Sequence, residues 1–286
     1  MEEPNAVIQG NSDEPADNAS NSSGMESDDN AAETGTKQVS VITGISWNVY
    51  AIPKFGLPDL SSFQRMGSLI KRQLDSLPPN WSDDVIYSEN LQTVIHDDGI
   101  PLVWVPRSEI VTELLAATSR AARVAVLLAR CDEIVEDCRL VLTDISHETL
   151  AAQRPLAMKA VNAFAGGHYE AAQALAVVVT ETAVAHQFPN ADYAATKKQV
   201  NFDLVQARLT KIRVEAALIP INPFYTAWKP SWGIPAPEEL SRHVSVHQAD
   251  VGHYTKSNST VAILLVTSVL RALQEMRKQT DTAQLE

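Results

Sequence analysis

Cysteine is scarce: the chain has two in 286 residues, Cys131 and Cys138. They stand two turns apart in a stretch with helical periodicity, about 10 Å along the axis, which no disulfide spans. Without neighbouring ligand pairs they do not make a zinc finger either, so reduced core thiols are expected. Glycine is sparse too, at 11 residues, and nowhere forms the loop that cradles nucleotide phosphates. The longest apolar runs, such as Val124 to Ala129 and Val261 to Val266, have six residues, whereas a membrane span needs about 20. The first residues have neither the basic region nor the apolar stretch of a secretion signal. A soluble, cytoplasmic protein with no membrane partner is therefore expected. No Ser-His-Asp ordering stands out, no carboxylate pair supports a glycosidase, and no internal repeat recurs at a fixed period.

Charge is unevenly spread. Residues 1–40 hold nine Asp or Glu and one Lys, a net charge of −8 out of −12 for the whole chain. Residues 195–278 hold eleven Lys or Arg against six Asp or Glu, a net +5. A basic region inside an acidic protein is compatible with a phosphate-bearing partner, although a solvated helix face has the same composition. Residues 1–38 carry only Val7 and Ile8 as branched aliphatics. Such a segment cannot bury enough apolar surface to offset its ordering entropy, so a disordered acidic tail is expected. Its role is either to solubilise or to act as an acidic decoy over a basic site.

Residues 39–105 read as a mixed segment. Val39, Val41, Ile45, Trp47 and Val49 alternate with period two, which suggests a strand or extended arm. Phe63 to Leu77 is a helix candidate, stopped by Pro78-Pro79. Val85 to Tyr87, Val94-Ile95 and Leu102 to Val105 are β-prone, and Asp97-Asp98-Gly99 can turn a hairpin between the last two.

From Pro106 the pattern becomes helical, and residues 106–278 are expected to form an antiparallel helical bundle in a mainly α protein. Ser108 can cap a stretch with Ile110, Leu114 and Leu127 on its apolar side, continuing through Ile134 and Cys138 after a possible break. A further helix runs to Ala165, with Pro155 tolerable only if it lies in the first turn, and Gly166-Gly167 ends it. His168 to His186 is Ala-rich and suited to close packing. Ala194 to Ile219 reads as one long helix stopped by Pro220. The last unit, Pro237 to Met276, breaks near Gly252.

Within that unit stands Arg242-His243-Val244-Ser245-Val246-His247, an Arg-x4-His motif. Histidine moves protons near neutral pH, and arginine can fork onto two phosphate oxygens. Together they are the minimum kit for metal-free phosphodiester cleavage. On a regular helix, residues five apart point about 140° away from each other. Arg242 and His247 therefore meet one phosphate only if the helix starts or bends between them, or if two chains share the site. The bland reading is an Arg and a His on a solvated helix. His243 and His247, at i and i+4, also have the spacing of a metal pair, but no glutamate follows the first and no third ligand is evident, so neither metal nor cofactor is expected.

Downstream lie Tyr254, Asn258 and Ala262, then the apolar stripe Val261, Leu264, Leu265, Val269, Leu273 and Met276. The string Ser-Arg-His-x3-His, then Tyr-x3-Asn-x3-Ala and a leucine-rich helix, resembles the end of HEPN domains over about forty residues, Pro237 to Met276. A polar residue typically follows the arginine there, and His243 fills that place. Related segments often read Asn-Arg-x4-His-Gly, whereas Ser241 and Gln248 flank this motif. Members of that superfamily are helical bundles, many of them metal-independent endoribonucleases of toxin–antitoxin or other defence settings; inactive relatives also exist. The resemblance implies a homodimer that brings two motifs to one cleft. In it Arg242 holds the scissile phosphate, and His247 deprotonates the ribose 2′-hydroxyl or protonates the leaving oxygen.

The surroundings add candidates, each with two readings. Tyr254 and Asn258 either orient the catalytic histidine or pin the bundle. Trp228 and Trp232 either stack on unpaired bases or clamp a Pro-rich loop to the bundle. Lys197, Lys198, Arg208 and Lys211 either follow an RNA backbone or form a solvated face. The expected function is thus an RNA-cutting toxin or defence enzyme, with an antitoxin or regulatory protein as partner. The alternatives are a HEPN-like interaction module without catalysis and an unrelated helical scaffold.

Overall fold

The computed structural model describes residues 76–285, apart from residues 83, 201–211 and 249. The expectations for the acidic tail, the arm at 39–49 and nearly all of the helix candidate at 63–77 lie outside these residues. The described part is mainly α, and no strand occurs among the described residues. The helices are α1 Ser108–Ala116, α2 Arg120–Ala129, α3 Cys131–Thr143, α4 Gln153–Ala165 and α5 Tyr169–Gln187, followed by α6 Tyr193–Gln199, α7 Ile212–Leu218, α8 Ile221–Phe224, α9 Arg242–His247 and α10 Lys256–Leu285.

Helix α10 is the axis of the bundle. Every residue from Asn258 to Leu270 is buried, the polar ones included, as expected of a helix surrounded by partners on all sides. It packs on α5 most extensively and also on α3, α4, α7 and α2. Thr260 and Thr267 enter this apolar setting by donating their hydroxyls back to the Lys256 and Ile263 carbonyls, at 2.8 Å each, so neither is unsatisfied. Helix α10 is long and apolar enough to cross a membrane, yet 83% of its apolar window is buried by its neighbours, which makes it a core helix. Cys131 and Cys138 are free and buried, and burial pushes the Cys138 thiol up to about 12.

Local chemistry explains where the helices stop. The expected stretch from Ser108 to Leu128 is two helices, because Ser119 caps the second by accepting from the Ala122 N–H at 3.2 Å. Arg107 locks the start of α1 onto α3: its backbone N–H and guanidinium both donate to Asp137, at 2.7–3.1 Å. Helix α4 takes Pro155 in its first turn. It ends where Gly167, at φ +80°, donates to the Phe164 carbonyl and His168 donates to that of Ala163, both at 2.9 Å. That left-handed cap folds α5 back along α4, where Ala157, Ala160, Ala172 and Ala176 are fully buried. The ends of the expected helix Ala194 to Ile219 are α6 and α7; its middle lies outside the described residues.

The β-prone runs of 76–105 do not form strands, which corrects the hairpin expectation. Val85–Tyr87 is a 3-10 turn and Thr93–Asp97 a π turn. Leu102 to Val105 is buried irregular chain in which side chains satisfy the Leu102 carbonyl and the Trp104 N–H. Asn80 Nδ2 donates to the Leu102 and Pro106 carbonyls at 2.9 and 2.6 Å, Asn80 Oδ1 accepts from the Trp104 N–H at 2.8 Å, and Trp81 Nε1 donates to Leu102 at 2.7 Å. Asp98 is no hairpin tip: it turns inward to Arg123, with 2.6 Å between Oδ2 and Nη1. Gly99 sits at φ +64°, and a Cβ there would lie 2.9 Å from Pro223 Cγ. Gly99→Ala will therefore lower unfolding stability by about 1–3 kcal/mol in urea titration, whereas Gly252→Ala, with no contact below 3.4 Å, will change little.

Candidate functional site

Helix α9 is a single six-residue turn and a half that begins at the motif. Ser241 is its N-cap, accepting from the Val244 N–H at 3.4 Å, a role that asparagine performs equally well. Gln248, at φ −110° and ψ −28°, closes the helix without a left-handed turn, so no glycine is required there. The helix is fastened to α5 by Gln173, whose Nε2 donates to Ser245 Oγ at 3.1 Å and to the His253 carbonyl at 3.3 Å.

Because α9 is regular, Arg242 and His247 point to different sides. Arg242 turns inward and is buried. Its Nη1 lies 2.9 Å from Glu181 Oε1, and its guanidinium stacks 4.1 Å from the centre of the Tyr193 ring. The Tyr193 hydroxyl donates to the same Glu181 oxygen at 2.5 Å. Burial, this hydrogen bond and the Glu181 charge push the Tyr193 phenol up. Arg242 is thus held by a carboxylate from α5 and an aromatic face from α6. Neither partner is signalled near the motif.

His247 faces solvent, and His243 is half-buried beside it, with ring centroids 4.9 Å apart. Burial pushes the His243 imidazole below its ordinary value, and the neighbouring His247, Arg242 and Lys229 charges push it the same way. Four cationic or protonatable groups therefore share one locality. The two imidazoles, rather than Arg242 and His247, form the close pair.

Tyr254 and Asn258 hold the backbone. The Tyr254 hydroxyl donates to the Ser245 carbonyl. Asn258 Nδ2 donates to the Glu238 and His253 carbonyls at 3.1 and 3.0 Å, which ties α10 to the chain on both sides of α9. Trp228 is buried, its Nε1 donating to the Ile234 carbonyl at 3.1 Å, whereas Trp232 is half exposed. Lys197 and Lys198 lie in the last turn of α6; Arg208 and Lys211 lie outside the described residues. Among the described residues no group of three or more His, Cys, Asp or Glu is placed to hold a metal ion.

His253 lies under the motif, 3% exposed, and its Nε2 accepts from the Ser241 N–H at 3.4 Å. Burial pushes its imidazole down; the Ser241 and Pro237 backbone groups and the Asp250 and Glu239 charges oppose this without cancelling it. A histidine depressed in the folded state is protonated first in the unfolded chain, so stability is full above about pH 6.5 and declines as pH falls through it. The urea midpoint will accordingly fall between about pH 7 and 5.5, above the carboxylate range. A flat profile in that window would contradict the burial of both His253 and His243, and His253→Gln will flatten it in part.

Comparison of the chain with protein-family models, with characterised proteins and with solved structures yields no match.

Proposed function

We propose that this protein is a metal-independent endoribonuclease in which His243 and His247 are the acid–base pair. The observation that carries this reading is the packing of two imidazoles 4.9 Å apart, one of them depressed by burial and by the cations around it. Two titratable groups held in different environments are how one site supplies both a base and an acid near neutral pH. The surrounding positive charge is relieved by a phosphodiester anion. RNA is the substrate class because its 2′-hydroxyl is an internal nucleophile.

In the proposed step His243, held neutral, takes the proton of the 2′-hydroxyl while the 2′-oxygen bonds to phosphorus. The bond from phosphorus to the 5′-oxygen breaks, and His247, as the acid, gives that oxygen a proton. The products are a 2′,3′-cyclic phosphate and a 5′-hydroxyl. Arg242 is a positioning residue beneath the pair, oriented by Glu181 and Tyr193, and its charge contributes to the site's field. Val246 and Val251, exposed beside the motif, and Trp232 and Ile234, exposed in the preceding loop, are apolar surface of the kind a homodimer covers.

The test is incubation of the full chain with single-stranded RNA and with its all-deoxy counterpart, in excess chelator. Cleavage of RNA alone is expected; no cleavage of either would overturn the reading. A second reading, a helical interaction module without catalysis, is favoured by the burial of Arg242 against Glu181. It predicts an inert but dimeric or partner-bound protein in the same assay, with an antitoxin or regulatory protein as the partner.

A further inference from the structure

Helix α9 carries His243 and His247 one turn apart on the same face, with ring centroids separated by 4.9 Å. A zinc ion lies about 2.0–2.1 Å from an imidazole nitrogen, hence about 3.2 Å from the ring centroid. Two imidazoles on one tetrahedral ion therefore have centroids about 5 Å apart, and the pair already stands at that separation. Both rings can be reached, His247 being exposed and His243 half-buried. Among the described residues no hydrogen bond or ion pair engages a ring nitrogen of either. Of the neighbouring cations, Arg242 is met by Glu181 at 2.9 Å, and Lys229 is exposed, where salt screens its repulsion. Among the described residues no third His, Cys, Asp or Glu completes a cluster with the pair. A resident zinc takes three or four protein ligands, so two imidazoles make a weaker, exchangeable site with water in the remaining positions. Imidazole suits zinc, copper and nickel, whereas magnesium and calcium prefer oxygen ligands.

We infer that His243 and His247 form a two-histidine chelate for a divalent transition ion of the zinc class, and that this ion, when bound, holds the site off. An ion shared by both rings ties up the nitrogen lone pairs that proton transfer uses, so neither histidine can act as base or acid. Because the ion is held by two ligands only, it leaves when free zinc is chelated and the pair becomes available again. Binding stands on the geometry of the pair alone; the inhibitory consequence rests on the ribonuclease reading.

The test is calorimetric titration of the full chain with zinc chloride in chelator-free, phosphate-free buffer, with magnesium chloride as competitor. Zinc will bind saturably, and magnesium will not displace it. His243→Ala and His247→Ala will each weaken that binding about 100-fold, because each removes one arm of a chelate. His96→Ala, which removes a histidine paired with a carboxylate elsewhere in the fold, will bind zinc as the wild type does. Cleavage of single-stranded RNA will fall as zinc fills the site and return when chelator is added. No saturable zinc binding, binding kept by both motif variants, loss of binding in His96→Ala, or displacement by magnesium would each overturn the chelate. Cleavage that persists at saturating zinc would overturn the inhibitory role. Zinc binding that depends on both histidines in a protein that never cleaves RNA would overturn that role together with the ribonuclease reading, and leave the chelate established.

Discussion

His247→Ala and His243→Ala will each slow cleavage of single-stranded RNA by about 10²- to 10⁴-fold, the usual contribution of a positioned proton-transfer group. The two losses will not multiply, because acid and base serve one step. His247 is exposed and His243 half-buried on a short helix, so both variants will keep the wild-type circular dichroism and the comparison will report chemistry. Their pH profiles distinguish the roles. A base depressed by burial and by neighbouring cations is neutral at neutral pH, so the acid limb of kcat/KM will have its midpoint below about 6.5. His243→Ala will remove that limb. Lys229→Ala, which takes away one of the cations, will move its midpoint upward. An unchanged midpoint in Lys229→Ala would detach the limb from His243.

Asp98→Ala will be the most destabilising single change outside the hydrophobic core, by about 3–5 kcal/mol. The side chains of Arg123 and Asp98 are 4% and 9% exposed and 2.6 Å apart. Arg123 also donates Nε to the Leu114 carbonyl at 3.3 Å, so the guanidinium cannot swing out to water without releasing α1. Removing the carboxylate leaves a buried charge without a counterion, whereas removing both charges together avoids that penalty. The double variant Asp98→Leu with Arg123→Met will therefore recover much of the loss in urea titration. A loss below about 1 kcal/mol for Asp98→Ala, the range of an exposed pair, would show that water reaches the site.

The helical bundle was legible because its signals are local. Pro155, the Gly166-Gly167 pair and the unbroken apolar character of Val261 to Val266 each act within a turn or two of themselves. The β-prone runs of 85–105 do not become strands because backbone there is satisfied from a distance. Asn80 reaches carbonyls 22 and 26 residues away, and no period in Leu102 to Val105 announces that. The motif and the divergence of Arg242 from His247 were legible, but the inward partner of Arg242 was not. Arg242 is committed to a carboxylate 61 residues earlier in the chain. One clue was present: Glu181 is the only charged residue between Ala171 and Ala185, and a lone acid in such an Ala- and Val-rich helix needs a cation. His243, read first as the polar residue that follows the arginine, sits one turn from His247, and that spacing alone set the two rings against each other.

The central claim, that the imidazole pair cuts RNA through its own 2′-hydroxyl, is tested most directly by the chemistry of the product ends. Full-length protein and His247→Ala are incubated with a defined single-stranded RNA in excess chelator, and the fragments are weighed by mass spectrometry. Fragments ending in a 2′,3′-cyclic phosphate and beginning with a 5′-hydroxyl, absent with His247→Ala, are the predicted result. Fragments with 5′-phosphate ends, or equal cleavage by the wild type and His247→Ala, would contradict it.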